Sequence, residues 1–208
     1  MKYKSLAALA AALALAVTAN AQPITTFTNI DFDLGVQNFP NGFDNPSADI
    51  PGWQNYTPIV DSGVEGPGAW WGTYQGHAAF MKAGEGAFNL SDYTIQAGDT
   101  FSIEFYAKSW WVPGAWTVSL FYDNPANIIG SYTTPTLVSW NWNLYSTPTP
   151  IAATVASQGG KLGVIFLSSG ADFAQVDEIT ISLVPEPTSL SLMAVAGLGL
   201  LASRRRQS

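Results

Sequence analysis

Between residues 22 and 184 the apolar side chains recur at every second position or in short unbroken runs, and nowhere at a sustained helical spacing. Phe101, Ile103 and Phe105 alternate with Ser102, Glu104 and Tyr106, and Trp116, Val118 and Leu120 alternate with Thr117, Ser119 and Phe121. Successive side chains of a strand point to opposite faces, so this period predicts strands that bury one face. Residues 162–167 are continuously apolar, which suits a central strand covered on both sides. Residues 173–183 read as the last strand, and residues 24–34 read as a first strand pairing near it. Ala97-Gly98-Asp99 and Tyr122-Asp123-Asn124-Pro125 are turn signals. Residues 37–51 and 61–71 read as surface loops of the kind that carry binding functions. The expected fold is all-β, an antiparallel β-sandwich or jelly roll.

Both ends lie outside that pattern. Lys2 and Lys4 precede an apolar segment over residues 6–17, followed by the small-x-small sequence Ala19-Asn20-Ala21. This is the layout of a signal peptide, residues 1–21, with Ala19 and Ala21 presented to signal peptidase and cleavage before Gln22. At the other end stand Pro185-Glu186-Pro187, an apolar run over residues 190–202 and Arg204-Arg205-Arg206. The prolines remove backbone donors and end the preceding strand. The arginines favour the cytoplasmic side of a membrane. As a helix the thirteen apolar-run residues rise only about 20 Å, against a hydrocarbon core of roughly 30 Å. Such a run suits a processing signal better than a permanent anchor.

The order Pro-Glu-Pro, apolar run and arginine cluster resembles the PEP-CTERM sorting signal of Gram-negative bacteria. The resemblance implies export across the inner membrane and transient anchoring there by the C-terminal helix. It also implies sorting by an exosortase to the envelope, cell surface or extracellular matrix. The chain then divides into a signal peptide (1–21), one domain (22–184) and a sorting tail (185–208).

The domain holds three lysines, no arginine and fourteen acidic residues, a formal charge of −11. Nucleic acid needs cationic side chains to displace phosphate counterions, so it is excluded as a partner. Anionic lipid is disfavoured for the same reason. The chain has no cysteine, so neither disulfides nor thiol chemistry contribute.

Three segments carry a second resemblance. Asn29-Ile30-Asp31-Phe32-Asp33 is followed by Ile50-Pro51-Gly52-Trp53; residues 93–108 place Ala97-Gly98-Asp99 before an alternating strand ending in Ala107-Lys108; residues 175–183 form a closing strand. Together they resemble galactose-binding-like jelly rolls and related carbohydrate-binding modules. That implies the sandwich fold. Function follows less directly, because such domains serve glycan binding, structural packing and enzyme accessory roles alike.

Eight tryptophans are the chemistry-bearing residues to place. In a strand, neighbouring side chains point apart, so Trp70 with Trp71 and Trp110 with Trp111 cannot both be core. Trp140 and Trp142, two apart, share a face if extended. Exposed rings of this kind make stacking platforms for sugars, with Asn141 and Asn143 beside them to bind hydroxyls; alternatively the rings cap the sandwich ends. Trp53 and Trp116 are assigned to the core. Asp31 and Asp33 near the start, with Asp177 and Glu178 on the last strand, offer oxygens to a structural calcium ion as the resembled fold implies. The other reading of these carboxylates is an acidic edge that deters aggregation. His77 is the single histidine, and no Gly-x-Ser-x-Gly elbow accompanies it.

The expected protein is therefore non-catalytic, exported and in contact with polysaccharide or exopolysaccharide. A purely structural matrix protein is the alternative, and a glycoside hydrolase a third reading that would need a paired acid and base.

Overall fold

The structure is a computed structural model that describes residues 21–34, 50–69, 71–170 and 172–185. Ala19, Trp70, Glu186, Pro187 and the three arginines lie outside the described residues. Twelve strands and one short 3₁₀ turn, Val155–Ser157, make up the regular structure. The strands are β1 (Gln22–Pro23), β2 (Trp53–Asn55), β3 (Gly63–Glu65), β4 (Ala78–Lys82), β5 (Gly86–Thr94) and β6 (Thr100–Ser109). They continue as β7 (Gly114–Tyr122), β8 (Asn124–Thr133), β9 (Asn143–Ser146), β10 (Ile151–Ala152), β11 (Lys161–Gly170) and β12 (Phe173–Leu183).

Among the described residues every pairing between these strands is antiparallel, with one isolated parallel bridge, Ser109 to Ser139. A seven-stranded sheet runs β10-β6-β12-β4-β3, with β1 also on β12 and β9 also on β6; a five-stranded sheet runs β2-β5-β11-β7-β8. The two pack face to face as a jelly-roll sandwich. Phe101, Ile103 and Phe105 of β6 meet Trp116, Val118 and Leu120 of β7 and Leu162, Val164 and Phe166 of β11. The Phe105 and Phe166 rings pack edge to face at 5.2 Å, an arrangement aromatic quadrupoles favour. The Trp116 indole N–H crosses to the carbonyl of Gln175 at 3.1 Å, so its one polar atom is satisfied inside the core. The period-two reading thus identifies the core faces of β6 and β7, and the continuous run becomes β11, flanked on both sides within its sheet.

Two expectations change. Residues 24–34 do not form a strand; only Gln22 and Pro23 pair with β12, opposite Leu183 and Ser182. Asn29 and Phe32 have φ of 53° and 65°, left-handed values that no strand accommodates. The turn is clamped by the Asn29 side chain, whose Oδ1 accepts from the Leu34 N–H at 2.5 Å while its Nδ2 donates to the Leu34 carbonyl at 3.1 Å. Trp53 then donates to the Asn29 carbonyl at 2.7 Å and stacks on Phe32 at 4.6 Å, seating the turn on the core. The second change lies in residues 61–71, expected as loop throughout. Gly63–Glu65 is a fully buried strand on the edge of the larger sheet, paired with β4.

On the smaller sheet Gly163 pairs with Phe121, and a Cβ at 163 would overlap the Phe121 ring. Gly163→Ala is therefore expected to destabilise the domain by about 1–3 kcal/mol, the usual cost of overpacking a closed site. Urea unfolding followed by tryptophan fluorescence measures it; an unchanged midpoint refutes this packing.

Candidate functional site

Alternation places one set of side chains of the larger sheet on its outer face: Glu104, Tyr106 and Lys108 from β6, and Gln175 and Asp177 from β12. Register joins them, with Lys108 opposite Gln175 and Tyr106 opposite Asp177. Phe80 of β4 is opposite Gln175 on the other side, and Glu65 of β3 is opposite Ala78. An outer face of a two-layer fold is ordinarily wet, yet Glu65, Phe80, Lys108, Gln175 and Asp177 are all buried. What lies over them is the connection between β3 and β4, of which residues 71–77 reach the face.

That connection is tied down through its backbone. The Lys108 ammonium donates to the carbonyls of Trp71 (2.5 Å) and Gly72 (2.9 Å). The Asp177 carboxylate accepts from the N–H groups of Tyr74 (3.2 Å) and Gln75 (2.9 Å), and its other oxygen accepts from the Glu178 N–H (2.8 Å). Asp33 accepts from the His77 N–H at 2.8 Å and sits 3.1 Å from the His77 Nδ1. Gly76 has φ of 42°, and a Cβ there would strike the Asp33 carboxylate. Rings add to the hold: Tyr74 stacks on Tyr106 at 3.8 Å and Trp71 on Trp110 at 4.3 Å.

The tryptophans gather at one end of this face. Trp110 lies at the bottom, 3% exposed, packed on Phe80 and Phe173. Trp71 covers it, and Trp111 and Trp140 stand against Trp71 at 4.7 and 5.7 Å and against each other at 5.6 Å. Trp111 is 55% and Trp140 44% exposed. Trp110 and Trp111 lie between β6 and β7, outside any strand, so strand alternation does not set them. Trp110, expected among the exposed stacking rings, is buried beneath Trp71, while Trp111 faces solvent.

Trp140 and Trp142 do not share a regular strand face. Trp140 has φ of 64°, and its N–H donates to the Ser109 carbonyl at 2.8 Å, so the segment turns before β9 begins. Trp140 joins the tryptophan cluster, while Trp142 lies 6.0 Å from Tyr74 with the Lys108 ammonium 4.8 Å over its ring. The amide nitrogens of Asn141 and Asn143 donate to the carbonyls of Ser139 and Asn141.

The carboxylates considered for calcium are spread out. Asp31 accepts from the Asp33 N–H, Asp33 is engaged with His77, and Asp177 holds the covering segment. Among the described residues no group of three or more His, Cys, Asp or Glu side chains is placed to hold one metal ion. Asp31 and Asp33 stand on a turn, and not on the strand beside β12 where they were expected.

Electrostatics follow burial. Desolvation pushes the Glu65 carboxyl up to about 7, against the pull of the Lys108 charge. Desolvation likewise lifts Asp177 to about 7, opposed by the N–H groups it accepts. Lys108 is lowered by burial, with Glu65 acting to raise it. Glu65 and Lys108, with Gln175 donating to the Glu65 carboxylate, are the site residues that sequence reasoning missed. A signal for Lys108 was present: it is one of three lysines in an acidic domain and falls in register with the polar face of β6.

Comparison with known proteins adds three findings. Residues 183–206 match the PEP-CTERM protein-sorting motif. No curated protein matches the sequence. Among solved structures, the chain is similar to a family-4 carbohydrate-binding module, at 14% identity over 71% of this chain and 99% of that chain, TM-score 0.47. It is similar to a family-61 module solved with β-1,4-galactotriose, at 15% identity over 68% and 97%, TM-score 0.44. It is also similar to the family-22 xylan-binding domain of Xyn10C from Paenibacillus barcinonensis, at 16% identity over 69% and 92%, TM-score 0.44. The likeness is one of sandwich architecture. No helix among the described residues is long and apolar enough to cross a membrane.

The raised carboxyls set a pH dependence. Folded, Glu65 (facing Lys108 and Gln175) and Asp177 (facing Glu178, Tyr74 and Tyr106) keep their protons up to about pH 7. Unfolded, they release them near pH 4, as carboxyls ordinarily do. The folded state thus binds more protons between those limits, and stability falls as pH rises from about 4 to about 7. Differential scanning calorimetry is expected to give a higher Tm at pH 5 than at pH 8.5, with the difference reduced in Glu65→Gln and Asp177→Asn. A higher Tm at pH 8.5 overturns the assignment.

Proposed function

We propose that this chain, whose PEP-CTERM motif marks it for export and exosortase sorting, is a non-catalytic polysaccharide-binding protein of the cell surface or matrix. The observation that carries the reading is the patch of Trp71, Trp111 and Trp140. Two of its rings are about half exposed; Trp71 and Trp111 pack on the buried Trp110, and Trp140 packs on both of them. Large exposed rings held rigidly in one place offer stacking area at little entropic cost, and sugar C–H faces are suited to it. Asn141 and Asn143, beside Trp140 and Trp142, supply amide oxygens to hydroxyls at the rim. The acidic, arginine-free domain favours a neutral glycan over an anionic one.

A shallow platform binds weakly per site, and many copies on one surface compensate by avidity. Tryptophan fluorescence of the chain titrated with neutral polysaccharides is expected to show a saturable change. Trp111→Ala and Trp140→Ala are expected to weaken it at least tenfold with Tm essentially unchanged. Trp110→Ala is expected to lower stability instead, by about 3–5 kcal/mol. A folded protein that is silent towards every glycan tested refutes the reading and favours a structural matrix role.

A further inference from the structure

We propose that the covered outer face of the larger sheet is an inner pocket for a single neutral sugar residue. It is built from Glu65, Gln175 and Trp110, and residues 71–77 are the cover displaced when the sugar enters. The proposal rests on the glycan-binding reading above and deepens it.

Among the described residues, Glu65 Oε2, Gln175 Oε1 and Trp110 Nε1 in this layer have no hydrogen-bond partner, and neither has His77 Nε2 in the connection over it. Buried polar atoms are nearly always paired, and each one left unpaired costs about 1–3 kcal/mol. One orphan is a packing accident; three in one layer form a pattern with chemical content. The pattern is two acceptors and one donor. Adjacent sugar hydroxyls complement it, because each hydroxyl both donates and accepts. The walls of the layer are aromatic, with Phe80, Trp110 and Tyr106 around the polar atoms, and these take the C–H faces of a pyranose ring.

Charge sets the class of sugar. The domain's formal charge of −11 disfavours a uronic acid, so the pocket is one for neutral hydroxyls. Lys108, donating to the carbonyls of Trp71 and Gly72, is a positioning residue that holds the cover while it is closed.

The cover is built to come away as a unit. Most of its polar ties, from Lys108, Asp177 and Asp33, reach its backbone, with the His77 ring also against Asp33, and Trp71 and Tyr74 are held by ring stacking. Gly72 and Gly76, with φ of 69° and 42°, give it pivots that tolerate large backbone changes. Trp111 and Trp140 belong to other segments and stay in place to hold the rest of the glycan.

The test is isothermal titration of the full chain with neutral β-1,4-linked xylo-, gluco- and galacto-pentasaccharides, beside an oligogalacturonate. It is paired with hydrogen exchange of the cover. The double variant Glu65→Leu with Gln175→Leu is expected to lose at least tenfold in affinity, measured well below its Tm, which falls because Lys108 is left without its counter-charge. Tyr74→Ala, which removes the stack on Tyr106, is expected to tighten binding several-fold by raising the fraction of open molecules. In the wild-type chain, saturation with the best pentasaccharide is expected to speed amide exchange in residues 71–77. Wild-type affinity in the double variant, or slowed exchange in the cover, overturns the inner pocket. Loss of binding in Trp111→Ala alongside either result leaves the outer platform standing. A wild-type chain that binds no pentasaccharide removes both readings.

Discussion

The ammonium of Lys108 is the interaction on which the covered face depends. A buried amine is tolerated only when its hydrogens are directed to acceptors and a counter-charge is near. Here the acceptors are the Trp71 and Gly72 carbonyls, the counter-charge is Glu65, and an aromatic face lies above. These partners come from β3, from the connection after it and from the segment before β9. One side chain thus ties three stretches of chain onto a sheet face that would otherwise be wet. The raised carboxyls follow from the same burial, since the cover that excludes water from Lys108 also excludes it from Glu65 and Asp177.

The arrangement separates two jobs that one aromatic patch could have shared. Trp110 is a buried footing, with its ring against Phe80 and Phe173. Trp111, its neighbour in sequence, is a surface ring. Both residues follow the end of β6 and their rings meet at 5.6 Å, so the division is set by what packs on each ring and not by strand alternation. Trp140 reaches the same patch from a distant part of the chain through a left-handed residue and a hydrogen bond to Ser109. The patch is therefore a tertiary object, assembled from the cover, the end of β6 and the turn before β9.

Much of the fold was legible from period alone. The alternations at 101–106 and 116–121 and the run at 162–167 correspond to β6, β7 and β11, because burying one face of a strand requires that spacing. What escaped was local and specific. Residues 24–34 have strand-like apolar spacing, yet Asn29 closes a side-chain clamp on Leu34 that a strand cannot contain. Gly63-Val64-Glu65 looks like loop because a three-residue edge strand is too short to show a period. With that strand missed, Glu65 could not be placed opposite Ala78, nor Gln175 joined to it.

The sequence by itself determined the sorting tail, which is a linear motif read by order and not by fold, and the two-sheet class, which follows from side-chain period. Only the tertiary structure decided that Trp110 is buried and Trp111 exposed, and only it brought Trp71 and Trp140 beside them. It alone buried Lys108, Glu65 and Asp177 beneath a connection that reads as surface loop. The physical reason is that burial on an outer face is set by what crosses over it. That crossing depends on long-range hydrogen bonds from side chains to backbone, such as Asp177 to Gln75 and Lys108 to Trp71, which leave no periodic trace along the chain.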